Sequence, residues 1–241
     1  MKLLSRAINN RKHLIFLDIE GTQFSHEIIA IGAIRVDLKM DGTFKKVHQG
    51  FKCFVTAKEK IGKVVENLTG ITESALKRDG IPFRKAQIGL RKYIGRDYES
   101  CIFITFGSHD VRMICQSLQY NLDCNKDEAK LVIHNHLDFS EFIANFVRDD
   151  KGNPYSLENY LKLFHIEFNG TKHDPLDDAK NLMILYQAVQ QNSQILEDEY
   201  YKVLRKTSHL VYPIQKVLSA LLNGKSVSPE EFSRFVKDYL S

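Results

Sequence analysis

Cysteine is scarce and scattered in this chain of 241 residues. The four cysteines, Cys53, Cys101, Cys115 and Cys124, form no CxxC pair, which argues against a zinc ribbon or a thioredoxin-type redox site. Cys53 and Cys101 stand in apolar, strand-like runs and Cys115 in an amphipathic one. Buried free thiols are therefore expected, and nothing demands an oxidising compartment. No run approaches the roughly 20 apolar residues of a membrane span. The opening MKLLSRAINNRKH has too little apolar length for a secretory signal and includes Arg11 and Lys12. A cytoplasmic location with no membrane partner is the expectation. Internal repeats, low-complexity tracts and obvious linkers are also missing, which excludes a solenoid or a fibrous chain. Charge of one sign is not in large excess: 34 Lys and Arg against 30 Asp and Glu leave a net +4. This mildly basic balance suits an anionic partner such as nucleic acid, but it also suits many proteins without one.

What is present suffices for a core. Hydrophobic residues make up 43% and charged residues 27%, ordinary soluble usage, in a length that fits one generous domain or a domain with an appendage. Leu14 to Leu17 reads as a buried strand running out into Asp18-Ile19-Glu20-Gly21-Thr22. Ile28 to Val36, with Gly32 inside it, reads as a second strand. Asp41-Gly42 marks a turn, and a third strand follows over residues 47–55. Helical patterns occupy residues 72–78 and 83–94, then Cys101 to Phe106 returns to strand. A helix with Val111, Ile114, Cys115 and Leu118 on one face comes next. Leu131 to Ile133 is expected as a short strand, Phe139 to Val147 as a helix, and Ser156 as the start of another. Pro175 opens a long helix reaching about Gln190. Antiparallel strands first, then strands alternating with helices, predict an α/β domain with a mixed five-stranded sheet over residues 1–191. Residues 192–241 read as a helical C-terminal extension, whose last helix starts at the capping box Ser228-Pro229-Glu230-Glu231.

Three places carry candidate chemistry. Asp18 and Glu20 are two apart at a strand end, so both carboxylates point to one face. Two carboxylates side by side are costly unless a cation lies between them, and Mg²⁺ or Mn²⁺ takes oxygen ligands of this kind. Taken alone, the pair more often marks a solvated strand end. Asp110 follows the strand at 101–106 and emerges at the same sheet edge if that strand lies parallel to the first; it also suits the first turn of a helix. In His173-Asp174-Pro175-Leu176-Asp177-Asp178, the histidine sits just before the helix, and Asp178 leans back toward its start. His173 and Asp178 can thus share a pocket, while Asp174 and Asp177 cap the helix.

In their order and spacing these residues resemble the DEDDh 3′→5′ exonucleases of the ribonuclease-H-like superfamily, whose acids occur as Asp-x-Glu, then Asp, then His-x-x-x-x-Asp. Leu68-Thr69-Gly70-Ile71-Thr72 is similar to the segment that family places between its first two motifs. The resemblance covers about residues 13–190. The run Thr105-Phe106-Gly107-Ser108-His109-Asp110 looks most like the branch that trims structured RNA 3′ ends. The first motif departs from the family's usual two threonines and a glycine, reading Gly21-Thr22-Gln23-Phe24 here.

The resemblance implies two divalent cations held by Asp18, Glu20 and Asp178, with Asp110 completing the acidic shell and His173 as general base. It implies single-stranded RNA or DNA as partner, cut from the 3′ end to nucleoside 5′-monophosphates. Gly21, Thr22, Phe24, Leu68, Thr69 and Ile71 are the expected substrate contacts, although Phe24 could as well be ordinary packing. Rival readings are a non-catalytic nucleic-acid-binding module, a DNA-proofreading subunit and a phosphodiesterase for very short oligonucleotides.

Overall fold

In a computed structural model, residues 2–206 and 210–240 are described. Met1, residues 207–209 and Ser241, which fall within the two expected segments, lie outside the described residues. Helix α1 (Lys2–Ala7) leads into strand β1 (His13–Gly21). Alternation divides β1 between two cores, Leu14 and Phe16 entering one and Ile15, Leu17 and Ile19 the other. β2 (Ile28–Leu38) runs antiparallel to β1, with Asp18 opposite Gly32 and Glu20 opposite Ala30.

The single third strand expected from the sequence is divided in two. β3 (Phe44–Val47) pairs with the far end of β2, and β4 (Phe51–Phe54) pairs with Ala30 to Ala33. Between them the ladder is interrupted because His48 turns onto Asp37, Nε2 to Oδ2 2.7 Å, and Gly50 packs against Leu176.

Three helices follow: α2 (Lys63–Thr69), α3 (Glu73–Asp79) and α4 (Phe83–Ile94). Thr72 caps α3 by accepting from the Ala75 amide at 3.1 Å. β5 (Ile102–Thr105) lies parallel to β1, as the active-site expectation requires, with Ile15 opposite Phe103. It is followed by α5 (His109–Tyr120), α6 (Lys126–His134) and β6 (His136–Asp138). The strand expected at residues 131–133 is thus helical. Asn125 caps α6 through the amides of Asp127 and Glu128, and Ala129 and Val132 supply its buried face at helical spacing. Pairing passes instead to β6, parallel to β5. The sheet therefore has six strands rather than five, in the order β3-β2-β1-β5-β6 with β4 also on β2.

The remaining elements are α7 (Phe139–Ala144), α8 (Leu157–Leu163), α9 (Pro175–Gln191), α10 (Ser193–Lys206), α11 (Tyr212–Leu222) and α12 (Pro229–Leu240). α9 packs on β1 and β2, and residues of α4, α5 and α6 join the core on the opposite face. α10 meets this body through buried Leu196 and through Tyr200, whose ring lies 5.5 Å from that of Phe146. The capping box at α12 forms: the Glu231 amide donates to Ser228 Oγ, and the Ser228 amide donates to Glu231 Oε2. No helix among the described residues is long and apolar enough to cross a membrane.

All four cysteines are free, but they are not all buried. Cys115 is exposed, because Ile114 and Ser117 take the inward face of α5 and the next residue after Ile114 is turned away by about 100°. Cys101 and Cys124 are buried and Cys53 is half-buried.

Candidate active site

The α9 face of β1 carries Leu14 and Phe16 into the core and then, with the same alternation, Asp18 and Glu20 to the strand end. The α9 helix can approach there because β2 presents Gly32 directly beside Asp18. A Cβ on Gly32 would lie 2.1 Å from the Pro175 carbonyl carbon, so only glycine admits the start of α9 at this depth. Asp174 caps that helix by accepting from the amides of Leu176 and Asp177, and Lys52 of β4 forms an ion pair with it. Just ahead, His173 adopts a left-handed backbone, φ 62°, and its amide donates to Asp178 Oδ2 at 2.8 Å. Glu20, His173 and Asp178 each offer a ligating atom, all within 4.8 Å of one another; His173 Nδ1 lies 3.9 Å from Glu20 Oε1.

Asp110 arrives from the other side of β1. β5 is parallel to β1, and α5 begins just beyond its end, so Asp110 in the first turn points back at the sheet. It is buried, and its Oδ1 accepts from the Ile19 amide, between Asp18 and Glu20, at 2.8 Å. The five expected residues therefore converge from β1, α5 and the start of α9.

Electrostatics shows what the cluster lacks. Burial, reinforced by Asp110, Asp178 and Glu20, holds the Asp18 carboxyl well above the usual carboxylate range. Burial, with Asp178 and Asp110, raises Glu20 from 4.5 to about 8. Burial lifts Asp110 to about 7 although the Ile19 amide opposes it, and lifts Asp178 to about 6 although His173 opposes it. Among the described residues no lysine or arginine pairs with any of the four. A set of oxygen donors this short of positive charge fits divalent hard cations, and Glu20, His173 and Asp178 are the residues whose ligating atoms lie close enough to share one.

The expected substrate contacts divide into two groups. Phe24 is 76% exposed and Leu68 is 52% exposed, so neither is ordinary packing. Thr22 and Ile71 lie beneath the surface, and Gly21 is also buried. The Thr22 hydroxyl is taken up by the Glu27 amide and Ser25 Oγ, and Ile71 belongs to a small core with Ile29 and Ile61. Thr69 is half-buried, its hydroxyl donating to the Val65 carbonyl.

Sequence reasoning missed Val64, 62% exposed and one turn before Leu68 on the same face of α2; the i, i+4 spacing was the available signal. It also missed Asp138, which ends β6, raises Asp110 and accepts from the Gly107 amide at 3.0 Å. Setting the last strand at 131–133 hid that strand end.

A family model described as Exonuclease (RNase_T) matches residues 15–186. No curated protein sequence matches the chain. Solved structures share the fold at low identity. A full-length 3′-exonuclease is 20% identical with a TM-score of 0.58 over 76% of this chain and 62% of its own. The nuclease domain of 3′hExo, a DEDDh family member bound to rAMP, is 18% identical with a TM-score of 0.59 over 76% of this chain and 93% of its own. Escherichia coli Exonuclease I in complex with a dT13 oligonucleotide is 16% identical with a TM-score of 0.57 over 81% of this chain and 44% of its own. The chain thus spans less than two thirds of the first of these proteins and less than half of the last. The family match covers most of the chain and takes in Asp18, Glu20, Asp110, His173 and Asp178, and by it the chain belongs to the Exonuclease (RNase_T) family, whose members use divalent metal ions.

Proposed function

We propose that this chain removes nucleoside 5′-monophosphates stepwise from the 3′ ends of single-stranded nucleic acid, RNA in preference to DNA, with two divalent cations, Mg²⁺ or Mn²⁺. One observation carries the reading: four carboxyls, with no lysine or arginine partner among the described residues, meet one histidine at a sheet edge, and the exposed apolar side chains Phe24, Val64 and Leu68, read here as one wall, stand on the two segments that the Val64 amide ties together through Gln23 Oε1. When bound, the cations activate water and stabilise the leaving 3′-oxygen.

The chain's own residues do the rest. Asp18, Glu20 and Asp178 hold the cations, and Asp110, fixed by the Ile19 amide, completes the negative shell. His173, 42% exposed at the mouth of the site, takes the proton from the attacking water, the general-base role that histidine most often fills. The apolar wall receives the terminal base by stacking and packing, which discriminates little between bases. Preference for RNA is supported by the run Thr105 to Asp110 and by the likeness to an rAMP-bound nuclease domain.

The test is a gel time course on 5′-labelled single-stranded RNA and DNA of equal sequence, with Mg²⁺, Mn²⁺ or EDTA. A ladder shortening from the 3′ end, faster on RNA and lost with EDTA, is expected. Intact strands with either metal would refute the assignment and favour a binding module.

A further inference from the structure

Glu27, the residue before β2, is 1% exposed, yet it carries a carboxylate. One oxygen, Oε2, accepts from the amides of Lys58 at 2.9 Å and Glu59 at 3.3 Å. The other, Oε1, is buried with no hydrogen-bond partner among the described residues. Burying such a group is costly, and an apolar side chain would avoid the cost, so the position calls for an explanation.

The explanation lies in what Glu27 joins. Its backbone grips the end of the catalytic strand: the Thr22 amide donates to the Glu27 carbonyl at 2.8 Å, and the Glu27 amide donates to Thr22 Oγ1 at 3.0 Å. Its side chain grips residues 58 and 59, which enter the segment leading to α2. Two further acceptors continue the seam. Gln23 Oε1 accepts from the Val64 amide at 3.1 Å, and the Gln23 backbone N–H donates to the Ile61 carbonyl at 2.8 Å. Glu73 Oε1 accepts from the Ile61 amide at 2.7 Å. Gly62, at φ 87°, lets the chain pass within contact of Gln23. The path from Glu20 to α2 is therefore short and linked by hydrogen bonds. On one side it is Thr22–Glu27–Lys58, on the other Gln23–Val64.

We propose that Glu27 is a positioning residue: it fixes the Phe24–Val64–Leu68 wall relative to Asp18 and Glu20, and so sets how well the 3′-terminal nucleotide binds while leaving the chemistry to the acids. This rests on the wall being the nucleotide-binding surface. One acceptor oxygen does the clamping, so the charge is dispensable and an amide suffices.

The experiment measures kcat and KM for single-stranded oligonucleotide hydrolysis with saturating Mg²⁺, alongside thermal melts, for Glu27→Gln, Glu27→Ala, Gln23→Ala and Phe24→Ala. Glu27→Gln keeps the acceptor and is expected to hold KM within about threefold of wild type. Glu27→Ala is expected to raise KM about tenfold or more, with kcat within about threefold, at a temperature where the melt shows it folded. Gln23→Ala, at a half-buried site, should reproduce this split if Glu27→Ala does not fold. The proposal is overturned if folded Glu27→Ala or Gln23→Ala lowers kcat at unchanged KM, or if Glu27→Gln behaves as Glu27→Ala. If Phe24→Ala leaves KM unchanged, the wall itself is not the binding surface and both readings fall. If Phe24→Ala raises KM and folded Glu27→Ala does not, only the role of Glu27 falls.

Discussion

Adding one methyl group at Gly32 perturbs the site without touching any of its acids. The new Cβ would stand 2.1 Å from the Pro175 carbonyl carbon, 2.2 Å from its oxygen and 2.4 Å from the Leu176 nitrogen, all backbone atoms. Ordinary contact begins near 3.4 Å, so the start of α9 must retreat by about 1.3 Å or β2 must buckle. His173 and Asp178 ride on that segment, whereas Asp18 and Glu20 stay with β1. Displacements of about 1 Å can cost on the order of 10²-fold in rate, while overpacking of this kind costs roughly 1–3 kcal/mol in stability. Gly32→Ala should therefore remain folded, with a lower melting temperature, and lose on the order of 10²-fold in kcat. The assay is hydrolysis of a 5′-labelled oligonucleotide at saturating Mg²⁺, with circular dichroism melts in parallel. Gly89→Ala is the control: its Cβ meets only the Phe51 ring at 3.4 Å, and alanine in the middle of α4 should add up to about 1 kcal/mol at unchanged rate. A folded Gly32→Ala with kcat within threefold of wild type would refute the argument that this notch sets the geometry of the site.

The metal-free protein should grow less stable from pH 5 to pH 8. Folding raises Glu20 to about 8 and Asp110 to about 7, so their contribution is fully present below the unfolded values near 4 and is lost as pH climbs through the folded ones. For Glu20 alone the loss by pH 7 is on the order of 3 kcal/mol, seen as a melting temperature that falls with pH in EDTA. A flat profile would contradict it. Added Mg²⁺ or Mn²⁺ at pH 8 should restore about 2.7 kcal/mol at a hundred times the dissociation constant, measured by thermal shift. Asp18→Asn should lower kcat on the order of 10²–10³-fold and yet stabilise the metal-free protein at neutral pH; a destabilised variant would count against the repulsion argued here. Leu68→Ala should raise KM by the equivalent of roughly 1–3 kcal/mol and change stability by less than about 0.5 kcal/mol, because Leu68 is half out of the fold already.

The convergence of these five residues was legible from their combined order and spacing, which resemble a family pattern, more than from any one of them alone. Asp18 and Glu20 needed only strand alternation, and His173 and Asp178 needed only the proline that starts α9. Asp110 was legible on condition that β5 is parallel to β1, which it is. The division of the third strand was not, because His48 is drawn to Asp37, a partner that only the assembled sheet supplies. The strand misassigned at residues 131–133 shows the same limit: Leu131, Val132 and Ile133 favour strand locally, and the Asn125 cap and the α6 core contact override them. Thr22 was expected at the substrate surface because it follows the acids. Its burial depends on Glu27, whose role no local pattern announces. Gly32 was noted only as lying inside the second strand, and the backbone it admits is more than a hundred residues away.

That distance orders events during synthesis. Chains emerge from the N-terminus, and domains tend to fold in that sequence. A nascent chain can pair β1 with β2 early, leaving the Gly32 notch open and Asp18 and Glu20 already set at the strand end. Until Pro175 arrives to fill the notch, His173 and Asp178 have no place in the assembly, and the group formed by Glu20, His173 and Asp178 does not exist. A chain halted between Asp110 and Asp178 has three of the four acids but not the fourth. The grouping of Glu20, His173 and Asp178 is thus completed late, by the docking of a single helix.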